Sequence, residues 1–370
     1  MKIDSFVKDG VKGLKKAIHG GDVWDYYKKN LIDFSSNINP LGPSKKALEK
    51  IKESLWKCAY YPDLESRELK SALADYTNMG YENITVGNGG TELIKNFLEV
   101  FLDKGNDVLI LSPTFSEYEV FSRLYGGNIR YLFARRENDF EFNHGEIMEK
   151  INENTRVIFI CNPNNPTGKS LGEKDLLKII EESYRNDTFV FLDEAYIDFT
   201  EMKSFCSKVG DFENLFILRS LTKFFSIPGL RIGFGIGNKK VMEYMEKIRM
   251  PWNTNILGEI AAIESIKDKE YIKDTKDTIK REKNFFYKEV SKIDNLKIYS
   301  SDANFFLIDL RESGINAREM KNALIKKGML IRDCSSFRGL DDYFIRIGIR
   351  TREENLKLIE EMRSILESIG

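Results

Sequence analysis

Between Ile84 and Ile236 the chain repeats one pattern: a short apolar run, a cluster of breakers or hydroxyls, then a longer stretch with helical spacing. The apolar runs are Ile84–Val86, Asp107–Leu111, Ile129–Phe133, Arg156–Cys161, Thr188–Leu192, Leu215–Leu218 and Leu230–Ile236. Helical stretches close at about Leu102 and Tyr125, and a further one covers Glu173 to Arg185. Strands alternating with helices predict an α/β fold around a largely parallel sheet. In such sheets ligands lie beyond the carboxyl ends of the strands. Gly87-Asn-Gly-Gly-Thr91, Ser112-Pro-Thr-Phe115, Asn162-Pro-Asn-Asn165-Pro-Thr-Gly168, Asp193-Glu-Ala-Tyr196 and Arg219 to Arg231 each follow an apolar run, so all belong at that edge.

After about residue 238 charged helices dominate, followed by short strands near Leu296–Tyr299, Asn304–Asp309, Leu330–Arg332 and Tyr343–Ile347 and a closing helix from Arg352. We therefore expect a large α/β domain over 40–250, a smaller α+β domain over 251–370, and an N-terminal arm, 1–39, packing with the latter. Residues 4–17 are expected to form a short amphipathic helix, and His19-Gly-Gly-Asp-Val-Trp24 a loop. A chain of 370 residues buries enough apolar surface for two such domains. Its 57 basic and 58 acidic residues nearly cancel, which gives no field for nucleic acid or an acidic membrane. No apolar run approaches the roughly 20 residues of a membrane span. Cys58, Cys161, Cys206 and Cys334 lack paired spacing, and with only His19 and His144 beside them no metal site is expected. Reduced thiols and a cytoplasmic location follow as the default.

Arg219-Ser-Leu-Thr-Lys223 and Arg231 carry the chemistry. Hydroxyls and a guanidinium grip a dianionic phosphate, and a lysine amine forms an imine with a carbonyl cofactor. The pattern points to pyridoxal 5'-phosphate on Lys223, with Ser220, Thr222, Arg231 and the helix-opening amides of Gly89, Gly90 and Thr91 around its phosphate. Asp193 is placed to keep the pyridine nitrogen protonated. Tyr196 and Asn165 can bond the phenolic oxygen, and Phe115 can stack on the ring. Burial and nearby positive charge would depress the Lys223 pKa. Arg346 suits a substrate carboxylate; Arg332 adds a second cation, which a phosphorylated amino acid needs. Gly233-Phe-Gly235-Ile-Gly237 is not a dinucleotide fingerprint, because Asn238 stands where a third glycine is required.

These motifs resemble the fold-type I pyridoxal-phosphate enzymes of the aspartate aminotransferase superfamily, over essentially the whole chain. Asn162-Pro-Asn-Asn-Pro-Thr-Gly168 and Tyr61-Pro-Asp63 narrow the likeness to the histidinol-phosphate aminotransferase-like branch. Within it the chain is similar to the L-threonine-O-3-phosphate decarboxylases of cobalamin biosynthesis. That likeness rests on His19-Gly-Gly21, Asn37-Ile-Asn39-Pro-Leu-Gly-Pro43, Pro113-Thr-Phe115-Ser-Glu-Tyr118 and Ile331-Arg-Asp-Cys-Ser-Ser-Phe-Arg-Gly-Leu340. Transaminases of the branch tend to have an acidic residue where Ile38 stands and Thr-Leu-Ser-Lys where Ser220-Leu-Thr-Lys223 stands. The resemblance implies Lys223 as the Schiff-base lysine, with Asp193 and Tyr196 as its catalytic partners. It implies a homodimer in which Tyr61 reaches the neighbouring subunit's cofactor phosphate. Arg346 would hold the substrate carboxylate, Arg332 and His19 its phosphate, and Asn39 and Asn165 would lie beside it. Decarboxylation of threonine phosphate is the expected reaction; transamination of histidinol phosphate is the alternative. The α-carbon bond standing perpendicular to the ring is the one that breaks.

Overall fold

The computed structural model describes residues 2–14, 16–21, 24 and 31–369. Strands are numbered in chain order: β1 Ile32–Asp33, β2 Ile84–Gly87, β3 Asp107–Ser112, β4 Asn128–Phe133, β5 Thr155–Cys161, β6 Phe189–Asp193, β7 Leu215–Ser220, β8 Gly233–Gly237, β9 Lys297–Ile298, β10 Phe305–Asp309, β11 Met329–Leu330, β12 Arg332–Asp333 and β13 Phe344–Gly348. A seven-stranded sheet runs in the order β2-β8-β7-β6-β5-β3-β4. Its pairs from β7 through β4 are parallel, while β8 is antiparallel to both β7 and β2. The central strands β5 to β7 are buried almost throughout, which is why they read as continuous apolar runs rather than alternating ones.

Helices cover both faces of this sheet. Phe97 of helix Gly90–Phe101 packs on Phe191 and Phe216, with ring centroids 5.0 Å away in each case. Each such aromatic contributes roughly 1.5–3 kcal/mol of burial. The opposite face joins the small sheet in one apolar core that includes Ile217, Phe224, Phe305 and Ile347. The small sheet, β12-β13-β10-β9, is antiparallel. The glycines of β8 serve close packing: a Cβ on Gly233 would come within 2.8 Å of the Gly90 nitrogen. The absence of a Cβ there lets the start of helix Gly90–Phe101 press onto β8.

Three expectations change. Of residues 4–17, residue 15 lies outside the described ones; the rest show a turn at Ile3–Phe6 and one helical turn at Asp9–Lys12, where Gly10 and Gly13 weaken any longer helix. Helix Ile256–Lys267, placed by sequence beyond the boundary at 250, packs against Lys45–Ser54 and Arg67–Thr77 of the large-domain span. A helix at Ala317–Lys326, with an Asn316/Glu319 capping box, was not anticipated. Residues 22–23 of the expected loop after His19 lie outside the described residues.

Candidate active site

The carboxyl ends of β3, β5, β6 and β7 open into a cleft of about 940 Å³, roofed by the arm and by the loop after β12. Of the residues expected there, Gly90, Thr91, Phe115, Asn165, Asp193, Tyr196, Ser220, Thr222, Lys223, Arg231, His19, Arg332 and Arg346 all line it.

Lys223 sits on the single helical turn Leu221–Phe224 directly after β7. Its Nζ donates to the Ser36 carbonyl at 3.3 Å. Burial lowers its pKa to about 8, and the charges of Arg346 and Arg231 push it the same way. Near neutral pH a useful fraction of the amine is therefore uncharged and nucleophilic.

Asp193 ends β6 and is 5% exposed. One carboxylate oxygen accepts from the Ala195 amide at 2.9 Å, the other from the Tyr118 hydroxyl at 2.6 Å. Burial raises its pKa to about 6 despite both donors. A buried carboxylate in this state gains from an opposing cation. The Tyr196 hydroxyl accepts from Asn37 at 3.3 Å, and burial holds its pKa at about 12, so it stays a proton donor.

At the other side of the cleft, Ser220 caps the turn after β7, its hydroxyl 2.8 Å from that of Thr222. Gly89 has φ +78°, and any Cβ there would overlap the Arg231 guanidinium. Glycine thus lets the guanidinium close on the first amides of helix Gly90–Phe101, and the three groups together form an anion cradle. Gly89 itself shapes the recess without lining the cleft.

Arg332 and Arg346 are directly opposed across the antiparallel β12–β13 pair. Each is 5% exposed. Arg346 bonds the Asn165 side chain and the Ser35 carbonyl, and its Nε is buried without a partner. Arg332 donates to the Ile18 carbonyl at 2.7 Å and the Ser336 hydroxyl at 2.6 Å. His19 lies 2.9 Å from Glu117.

Two expected site residues fall elsewhere. Asn39 does not line the cleft: its amide donates to the Phe224 carbonyl, Tyr271 and Thr275, each at 2.9 Å, behind the Lys223 turn. Asparagine there fastens the lysine turn to helix Lys269–Val290, which corrects its expected place beside substrate. Tyr61 is 76% exposed and stacks on Trp252, away from this chain's own cleft. The sequence gives no role to Ser35, Ser36, Asn37, Tyr118 or Ser336; all but the local Ser336–Arg332 contact depend on long-range pairing.

A match to the family of aminotransferases class I and II spans residues 29–362. The chain belongs to that family. Among its relatives, a protein of Caldanaerobacter subterraneus subsp. tengcongensis, provisionally named threonine-phosphate decarboxylase, is 39% identical and covers 98% of this chain and 97% of its own. The histidinol-phosphate aminotransferase of Methanocaldococcus jannaschii is 34% identical, with 99% and 98% covered. The solved histidinol-phosphate aminotransferase of Clostridium acetobutylicum superposes with a TM-score of 0.85 at 32% identity, covering 91% of this chain and all of its own.

The class I and II fold is the fold-type I architecture, and pyridoxal 5'-phosphate is the cofactor. The residues present fit it: a buried amine of lowered pKa, a buried carboxylate with no opposing cation among the described residues, and a glycine-shaped anion cradle share one cleft. Among the described residues no cluster suits a metal ion, and no helix is long and apolar enough to cross a membrane.

Proposed function

We propose that this enzyme decarboxylates L-threonine O-3-phosphate to (R)-1-amino-2-propanol O-2-phosphate. The observation that carries this reading is the opposed, buried pair Arg332 and Arg346. Like charges directly across a strand pair destabilise a sheet, and burying them adds a desolvation cost. A ligand bearing two separate anions would meet both guanidiniums. Threonine phosphate brings a carboxylate and a phosphate in one substrate; histidinol phosphate brings only the phosphate, and its partner 2-oxoglutarate two carboxylates. The 39% identity to a provisionally named threonine-phosphate decarboxylase favours the same substrate.

In this proposal Asp193 would face the pyridine nitrogen, and Tyr196 and Asn165 the phenolic oxygen. Ser220, Thr222, Arg231 and the amides of Gly90 and Thr91 would hold the cofactor phosphate. Bound pyridoxal phosphate supplies the electron sink for the pair left at the α-carbon. Arg346 orients the carboxylate, which departs as carbon dioxide. Arg332, Ser336 and His19 hold the substrate phosphate. Lys223 would return a proton to the α-carbon. Phe115 and the arm exclude water from the reacting face.

Arg332→Ala is expected to raise KM for threonine phosphate by about 10²-fold, the loss of a charge-assisted contact, with kcat changed far less. An unchanged KM would remove Arg332 from the phosphate site. Carbon dioxide release from threonine phosphate, assayed beside glutamate formation from histidinol phosphate and 2-oxoglutarate, tests the reaction itself.

The second reading, histidinol-phosphate aminotransferase, is favoured by the names of most relatives near 33% identity. We further propose a cytoplasmic homodimer. Its support is the exposed aromatic face of Trp56, Tyr60, Tyr61 and Trp252, which a second copy would cover. Tyr61 would then reach the partner's cofactor phosphate. Tyr61→Phe is expected to weaken cofactor binding about tenfold without changing the oligomeric mass, read by sedimentation.

A further inference from the structure

The support beneath Asp193 is built by a helix that sequence motifs alone do not connect to it. Tyr118 lies in the first turn of helix Glu117–Leu124 and has no solvent exposure. Its ring stacks on Phe159 of β5 at 4.7 Å and 11°, and meets Phe115 edge-on at 5.7 Å. That packing leaves the hydroxyl one direction, onto the Asp193 Oδ2 at 2.6 Å. Burial and the Asp193 charge both push the phenol pKa up, so it remains a donor at every working pH. The flanking residues hold the turn in place: Glu117 meets His19 at 2.9 Å, and Glu119 takes two bonds from Arg338 at 2.9 and 2.8 Å.

We propose that Tyr118 is a positioning residue that keeps Asp193 ionised and fixed in orientation for the cofactor's pyridinium. The inference rests on the family's cofactor and is independent of which substrate is used. Each Asp193 oxygen then has one protein donor, Ala195 N–H on Oδ1 and Tyr118 O–H on Oδ2, with lone pairs left for the ring nitrogen. The other ionisable groups around this carboxylate are the Cys161 thiol of β5 and the Tyr196 phenol. Burial holds both neutral, so neither substitutes for the Tyr118 bond.

Pyridoxamine 5'-phosphate is a suitable probe, because it has the pyridine ring and phosphate but no carbonyl for Lys223 to capture. Its binding to the full chain, stripped of cofactor, is measured against pH in wild type and Tyr118→Phe. The probe's own titrations cancel between the two proteins. Binding to wild type should weaken as pH falls through about 6, where Asp193 takes up a proton. In Tyr118→Phe that break should move up by about one to two pH units, the value of one hydrogen bond to a charged group. The variant should then bind about tenfold more weakly at pH 6 and converge with wild type above pH 8. In an Asp193→Asn background the same change should add nothing. An unmoved break in Tyr118→Phe, an equal loss at every pH, or an undiminished effect beside Asp193→Asn would each overturn the assignment.

Discussion

Lys223→Ala is expected to lower turnover by at least about 10⁴-fold, because one group is asked both to anchor the cofactor and to move the α-carbon proton. Lys223→Arg should be equally inactive, since a guanidinium keeps the charge but forms no imine. The wild-type amine adds a sign that can be checked. Its pKa is lowered to about 8 by burial and by Arg346 and Arg231. The rate at which the stripped enzyme captures pyridoxal phosphate should therefore rise with pH through about 8 and level off above it. Arg346→Gln removes one of those charges, so its midpoint should move up toward the ordinary lysine range. A capture rate flat from pH 6 to 9, followed by loss of absorbance at the bound chromophore, would contradict the assignment of Lys223.

Asp193→Asn separates folding from function. With the carboxylate gone, turnover should fall by at least about 10²-fold, as expected for losing a preorganised charge against the reacting system. Stability should move the other way. The folded-state pKa of Asp193 is raised from 3.8 to about 6 by burial. Its stabilising contribution is therefore full below about pH 4 and lost as pH rises through 6, leaving a buried charge as a cost at neutral pH. The stripped Asn variant should be more stable than stripped wild type at pH 7, by up to about 3 kcal/mol. The two should converge near pH 4. Thermal melts of both proteins without cofactor check this directly.

The large-sheet strands were legible in the sequence because buried parallel strands are short, apolar and closed by breakers, as in Arg156–Cys161 before Asn162-Pro163. The same logic placed Lys223, Asp193, Tyr196 and Asn165 together: each follows a strand whose carboxyl end faces one edge. What the sequence hid depends on pairing between distant segments. Nothing local says that Arg332 and Arg346 face each other, since this is a register of β12 on β13. Tyr118 is 75 residues from Asp193, and packing on Phe159 joins them. Asn39 looked like a ligand residue because it sits in a motif beside the site. Its partners Tyr271 and Thr275 are more than 200 residues away and turn it to the back of the lysine turn. The arm helix failed for a local reason, two glycines in a span too short to tolerate them.

We propose that the opposed Arg332 and Arg346 hold a doubly anionic amino acid and that the enzyme decarboxylates it. The fate of the carboxyl carbon tests it most directly. Purified enzyme loaded with pyridoxal phosphate is given L-threonine O-3-phosphate carrying ¹³C at the carboxyl, with 2-oxoglutarate present. The label is expected to leave as carbon dioxide, with the amine kept in the remaining product and no glutamate formed. Label retained in a 2-oxo acid, with glutamate accumulating in equal amount, would contradict it.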